Sequence, residues 1–342
     1  LRCAQLRRAR GRWTLQLAAA WNAPREIEDF RTDEELRRRA AAWLRQLDVA
    51  HRETAAGLSP PDVELHAMEL PAADGPDSDS IRHAAHWEIE RLMTFDEGTA
   101  ETAHWPLPGR GALRATAIGV AAPRSNVQYV IDLCSAGKLD CVQIDASSCA
   151  LARFALLIRE PSAVQDVWGI LDLGARRTRL VLGVDDTPVL VRTFDYGGRS
   201  WTHQIAIAMQ VKPETAERHK YDFGVCAPVR GGNGGKHALG EMIFNAVRGD
   251  IDGIVAEIER SYRYVLSSFP TRPPGPLLLV GGGAAMPHFA ELISDRLGIS
   301  VKAPDYASAG PGLDASSLSG RVREPLACYA GAIGLALGGG EP

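Results

Sequence analysis

No window of this 342-residue chain approaches the ~20 consecutive apolar residues of a membrane span, so no spanning helix is expected in it. Blocks of like charge are missing too. The 38 basic residues, only five of them lysine, are scattered among 42 acidic ones, and a net charge of −4 leaves no electrostatic footprint for nucleic acid. The six cysteines, Cys3, Cys134, Cys141, Cys149, Cys226 and Cys328, contain no C-x-x-C pair. They read as reduced, mostly packed thiols of a cytosolic compartment. A start of Arg7, Arg8, Arg10 and Arg12 before TLQLAAAW superficially resembles a signal peptide, but the apolar part is short and holds Gln16. A surface turn between two strands fits it better.

Two nucleotide motifs are also lacking. The run PVRGGNGGKHALGE fails as a P-loop, because Arg230 stands where the first Gly is required and His237 replaces the hydroxyl residue after Lys236; it reads as a flexible loop. The Gly281-Gly282-Gly283-Ala284 run is no dinucleotide fingerprint, since Met286 stands where its last Gly would be.

With 45% hydrophobic residues the chain can build the cores of two domains or of one large bilobed one. Its organising stretch is 167–198. Val167, Ile170 and Leu171 lead into Asp172-Leu173-Gly174-Ala175-Arg176-Arg177-Thr178, and alternation resumes through Leu180, Leu182 and Val184. After a second turn at 185–188 comes Val189-Leu190-Val191, so the stretch predicts an antiparallel meander. An Asp ending a buried strand, then a Gly and a Thr, can offer a carboxylate to a hydrated metal ion, N–H groups to a phosphate and a hydroxyl nearby. An ordinary hairpin turn accounts for the same residues.

Around it, strands are expected at 1–6 and 12–19, and a helix at 32–47 capped by Thr32 or Asp33. A module at about 62–146 reads as strand, helix, strand, helix, strand, its first helix capped by Ser78, Asp79 or Ser80, with 94–111 as loop and strand edge. A helix follows at 146–158, which Asp145 could cap. Past the meander, helices are expected at 200–210 and 213–221 and two more within 237–268, then a stiff linker at 270–276. The apolar strand 277–280 feeds the glycines and a helix at 287–297, a good nucleoside or phosphate site on physical grounds. The small-residue helix 328–337 would permit close packing.

In this order, Asp172-Leu-Gly-Ala with its meander, Gly197-Gly198 before a helix, Ala216-Glu217-x-x-Lys220 ending in Gly224, Gly281 to Ala284, and Gly331-Ala-x-Gly-Leu-Ala resemble the actin-like ATPase superfamily. Within it the likeness is to the PilM family of type IV pilus assembly, supported by LPAADGPDSDSIRHAAHWEIERLMTF, CVQIDASSCALARFALL and VRTFDYGGRSWTHQIA. The resemblance implies an α/β, actin-like (ribonuclease H-like), two-lobed ATPase fold with ATP and Mg2+ in the cleft, and a small inserted module as in FtsA. It places the first lobe at 1–61, 147–165 and 325–342, the insert at 62–146 and the second lobe at 166–324, with a helical subdomain about 213–268.

Carried over, Asp172 would hold the hydrated Mg2+ or orient the attacking water, and Gly174 and Ala175 would give N–H groups to phosphates. Glu217 and Lys220 would reach ribose or adenine, and Gly282, Gly283 and Ala284 would let base and sugar approach the backbone. Asp145 is a second candidate for positioning water. The family implies at most a slow ATPase, cytoplasmic and peripheral to the inner membrane, whose partner is the N-terminal cytoplasmic tail of a PilN-type membrane protein. Family members open with a first phosphate hairpin, which this sequence, beginning with Leu, lacks. It is expected either to be truncated or to carry half a phosphate clamp, with weak nucleotide binding. The alternatives are a nucleotide-free actin-like scaffold resembling GspL of type II secretion, and a sugar or metabolite kinase of the same superfamily.

Overall fold

The computed structural model describes residues 1–9, 11–23, 32–70, 79–107, 116–160, 166–227, 235–269 and 272–338. Two compact units divide them: 1–159 with 310–324 and 329–342, and 160–309 with 325–328.

The first unit opens with the antiparallel pair β1 (Arg2–Ala9) and β2 (Arg12–Ala20). Helix α1 (Glu34–Gln46) starts where Asp33 Oδ1 accepts the Leu36 N–H at 2.9 Å, and Leu36, Ala40, Ala41 and Leu44 form its buried face. The strand β3 (Glu53–Leu58) follows. Its sequence ETAAGL has one β-branched residue and no aromatic, so it carries little strand signal of its own.

In the inserted module, β4 (Glu64–Met68), helix α2 (Asp79–Leu92), β5 (Ala100–Pro106) and β6 (Ala117–Pro123) make an antiparallel sheet in the order β4-β6-β5. Ile89 and Ala85 of α2 pack into Met68, Ala117 and Ala121 of that sheet. Residues 100–106 are therefore a strand rather than the expected loop and strand edge, because pairing to β6 supplies what AETAHWP lacks in propensity. Ser78, one of the three expected caps, lies outside the described residues, as do 108–115.

Helix α3 (Arg124–Ala136) leads to β7 (Asp140–Ala146). That strand does not close the module's sheet as expected. It pairs in parallel with β3, and Leu133, Cys134 and Leu139 pack against Ala40, Ala41 and Leu44 of α1. Helix α4 (Ser147–Ile158) completes this stretch.

The second unit holds the meander β8 (Val167–Leu173), β9 (Thr178–Val184) and β10 (Thr187–Phe194), with every residue of β8 buried. Helices α5 (Gly198–Met209), α6 (Pro213–Phe223) and α7 (Gly235–Ser268) follow, then β11 (Pro274–Val280), α8 (Phe289–Leu297) and β12 (Val301–Lys302). The sheet order is β10-β9-β8-β11-β12, with β8 antiparallel to β9 and parallel to β11. The two helices expected at 237–268 are one helix of 34 residues. Ile243, Val247, Ile251, Ile254, Ile258 and Val265 are all fully buried, a stripe that runs its length and outweighs the propensity cost of Gly249 and Gly253. Of the run PVRGGNGGKHALGE expected as a flexible loop, residues 235–241 are instead the start of α7, while 228–234, like residues 270–271 of the expected linker, lie outside the described residues.

The chain then returns to the first unit. Strand β13 (Leu313–Asp314) pairs in parallel with β2, and Arg12 donates to the Leu313 carbonyl at 3.1 Å, so 310–324 belong with the first unit rather than the second lobe. Helix α9 (Ala330–Gly338) packs on α4, β1 and β3. A Cβ at Gly334 would collide with the Ala150 carbonyl, so only glycine permits this approach. All six cysteines are free thiols, and burial pushes the Cys134 thiol up to about 12. Among the described residues no helix is long and apolar enough to cross a membrane.

Candidate functional site

The second unit gathers most of the residues singled out in the sequence. Antiparallel pairing of β8 with β9 sets Asp172 directly opposite Arg179, and the parallel pairing of β8 with β11 sets Asp172 beside Val280, one residue before Gly281. Gly281 has φ +82°, and a Cβ there would strike the Asp172 carboxylate. Glycine is thus required twice over at this turn, for backbone angle and for space. The 3₁₀ turn Gly282–Ala285 follows, anchored by the Gly281 N–H donating to the Ala327 carbonyl at 2.9 Å.

The turn between β8 and β9 is closed on itself. Gly174 N–H donates to the Arg177 carbonyl at 3.0 Å, so this expected phosphate donor is spent inside the hairpin. The Gly174 and Ala175 carbonyls in turn accept the N–H groups of Gly198 and Arg199, at 3.0 and 2.7 Å, which occupies the first donors of α5. Ala175 is an exposed residue, and among the described residues its N–H has no backbone partner.

Glu217 and Lys220 lie together as expected of neighbours on α6, but they face the protein. Lys220, 3% exposed, donates at 2.9 Å to the Gly198 carbonyl, at 2.9 Å to Thr202 Oγ1 and at 2.8 Å to Glu217 Oε2. An ammonium has three protons, and these three acceptors use them all. The Thr202 hydroxyl lies within hydrogen-bond reach of both Glu217 and the Gly198 carbonyl and can give its single proton to either, so the cluster pins α6 against the start of α5. The next residue, Tyr221, brings its hydroxyl within 3.6 Å of where a Gly282 side chain would begin.

Asp172 is an ion pair. Arg179 Nε donates to its Oδ2 at 3.1 Å and a second guanidinium nitrogen bonds the same oxygen, with the side chains 17% and 11% exposed. For nucleoside and phosphate, the open backbone at Ala175 and Gly282 beside the Tyr221 hydroxyl offer a cradle, whereas a Cβ at Gly283 would strike the Leu173 side chain. For a hydrated Mg2+ on Asp172 the residues do not fit, since the carboxylate is already neutralised and enclosed. Among the described residues no group of three or more His, Cys, Asp and Glu side chains could hold a metal ion.

Asp145 belongs to the first unit. It does not cap α4, whose N-cap is Ala146 with no side-chain bond. Instead it pairs with Arg153, which also donates to the Gly334 carbonyl at 2.9 Å, tying α4 to α9. A charged partner one helical stretch away outcompetes a cap.

Arg179, Thr202 and Tyr221 carried no prediction. Arg179 had a readable signal: a four-residue turn at 174–177 places residues 172 and 179 opposite each other. Thr202 and Tyr221 had none, since their neighbours come from separate elements.

Residues 169–332 match the sequence profile of cell division protein FtsA. No curated protein matches the chain. Among solved structures, a "PilM-PilN type IV pilus biogenesis complex" superposes with a TM-score of 0.75 at 23% identity, covering 99% of this chain and 95% of that one. Ethanolamine utilization protein EutJ from Carboxydothermus hydrogenoformans (TM-score 0.42, 18% identity, 62% of this chain and 60% of that one) is also similar. So is MreB5 of Spiroplasma citri bound to ADP (TM-score 0.43, 12% identity, 63% and 65%). With two α/β units, an inserted three-stranded module in the first and a glycine turn after β11 in the second, the chain has the actin-like ATPase fold, in the form seen in PilM.

Proposed function

We propose that this protein is an assembly factor of a type IV pilus machine, a cytoplasmic platform that holds the N-terminal tail of a PilN-type membrane protein at the inner membrane. The observation that carries this reading is the superposition over 99% of the chain, inserted module included, on the structure of a PilM-PilN complex. Fold alone does not assign function, so the partner is the point to test. The chain, purified and titrated with a synthetic peptide of the partner's N-terminal cytoplasmic residues, is expected to bind with micromolar affinity in isothermal calorimetry, and a scrambled peptide is not. Equal heats from both peptides would sink the reading.

ATP would be received at the cradle of Ala175, Gly282, Gly283 and Ala284, with occupancy setting the conformation offered to the partner. Turnover would be slow at most. The geometry also favours a second reading, a nucleotide-free scaffold, through one feature: Lys220, Gly174, Gly198 and Arg199 spend their donors within the protein. Calorimetry with ATP separates the two. Micromolar binding supports nucleotide control of the platform, and no heat leaves peptide binding alone.

A further inference from the structure

We propose that Arg179 takes the place of a divalent cation at Asp172, so that the turn between β8 and β9 excludes metal ions and any phosphate group it receives arrives without one. The inference rests on the nucleotide reading of this turn for its ligand, a nucleoside phosphate, while its first test needs no nucleotide.

The contact follows from the ladder rather than from chance reach. Asp172 and Arg179 are directly opposed on adjacent antiparallel strands, and such pairs project on the same face of a sheet. Two guanidinium nitrogens bond one carboxylate oxygen, in a pair that water barely reaches. The other oxygen lies against the Gly281 backbone. A hydrated Mg2+, which keeps several of its waters and needs octahedral room, would have to expel the guanidinium and leave it buried without its partner.

The test is thermal melting of wild type, Arg179→Gln, Arg179→Lys and the double variant Asp172→Asn/Arg179→Gln, each in EDTA and in 10-fold stepped Mg2+ or Mn2+. Removing the guanidinium should free Asp172 for a cation. The expected result is a melting temperature that rises by several degrees with metal for Arg179→Gln and stays flat for wild type, for the charge-retaining Lys variant and for the double variant. Metal stabilisation of wild type equal to that of Arg179→Gln overturns the proposal, as does an Arg179→Gln protein that melts cooperatively and ignores metal. ADP binding followed by calorimetry completes the test. Affinity of wild type unchanged by EDTA supports it, and a tenfold loss in EDTA overturns it while the nucleotide reading stands. The expected melting pattern with no ADP heat in either buffer supports metal exclusion at Asp172 and removes the nucleotide reading instead.

Discussion

Two regions of the molecule hold themselves together by opposite means. In the second unit, the turn of β8 and β9 and the helices α5 and α6 are joined by charged and hydrogen-bonded groups turned inward: Asp172 with Arg179, and Lys220 with Glu217, Thr202 and the Gly198 carbonyl. In the first unit, α4 and α9 come together through the close approach of Gly334 to Ala150, with Arg153 donating to the Gly334 carbonyl, while the module beyond leaves Trp87 74% and β7 leaves Val142 53% exposed. Residues that a resemblance marks as a ligand site are thus structural members of the second unit, and losing one exposes an uncompensated partner. At the meeting of α4 and α9 the first unit depends more on shape, with Arg153 as its one charged tie, and its outer apolar residues are expected to matter little to the fold.

That contrast predicts an order of effects. Lys220→Met should be the most damaging change, costing about 3 kcal/mol, because it leaves Glu217 and the Gly198 carbonyl without their buried cation. Urea unfolding would show it, and a midpoint equal to wild type would break the comparison, since the cluster would then be idle. Gly334→Ala should follow at about 2 kcal/mol, because a new methyl must push α9 away from the Ala150 carbonyl. Calorimetric scanning can place that loss in the transition of the first unit. A uniform loss across both transitions would mean that the two regions do not fold by separate rules.

A smaller effect sharpens the picture of the module. Burial would raise the Glu64 carboxyl, but bonds from the Thr94 hydroxyl and N–H and from His66 Nε2 outweigh it and hold the group below its ordinary range. A carboxyl depressed in the folded state contributes stability that is present above the unfolded pKa, about 4.3 for Glu, and is lost as pH falls through the folded value. The melting temperature of the module should therefore decline more steeply below about pH 4.3 in wild type than in Glu64→Gln. Parallel curves would show that Thr94 and His66 do not discriminate the ionised form. Smallest of all, Trp87→Ser should change stability by less than about 0.5 kcal/mol, as expected of a surface side chain. A drop in melting temperature beyond that would mean that α2 needs its outer face after all.

Much of this was legible from local pattern. The cap at Asp33, the alternation of β8 and β9, the meander turns and the glycines after β11 each depend on residues within a few positions of one another, and each stands where the sequence put it. The resemblance of five short motifs in order led to the fold. The pairing of 100–106 with β6, of β3 with β7 and of 313–314 with β2 was not legible, because strands of weak propensity are made by partners distant in sequence.

The site divides the same way. Sequence alone determined that Asp172 ends a buried strand at a turn and that a glycine run follows another buried strand, while the pairing of β8 with β11 brought the two together. Tertiary structure decided what those residues can do. Whether Lys220 faces a ligand or the start of α5, whether the Gly174 N–H is offered or spent, and whether Asp172 is open or paired depend on which donors and acceptors the packing of separate elements brings within 3 Å, and burial makes each such pairing obligatory.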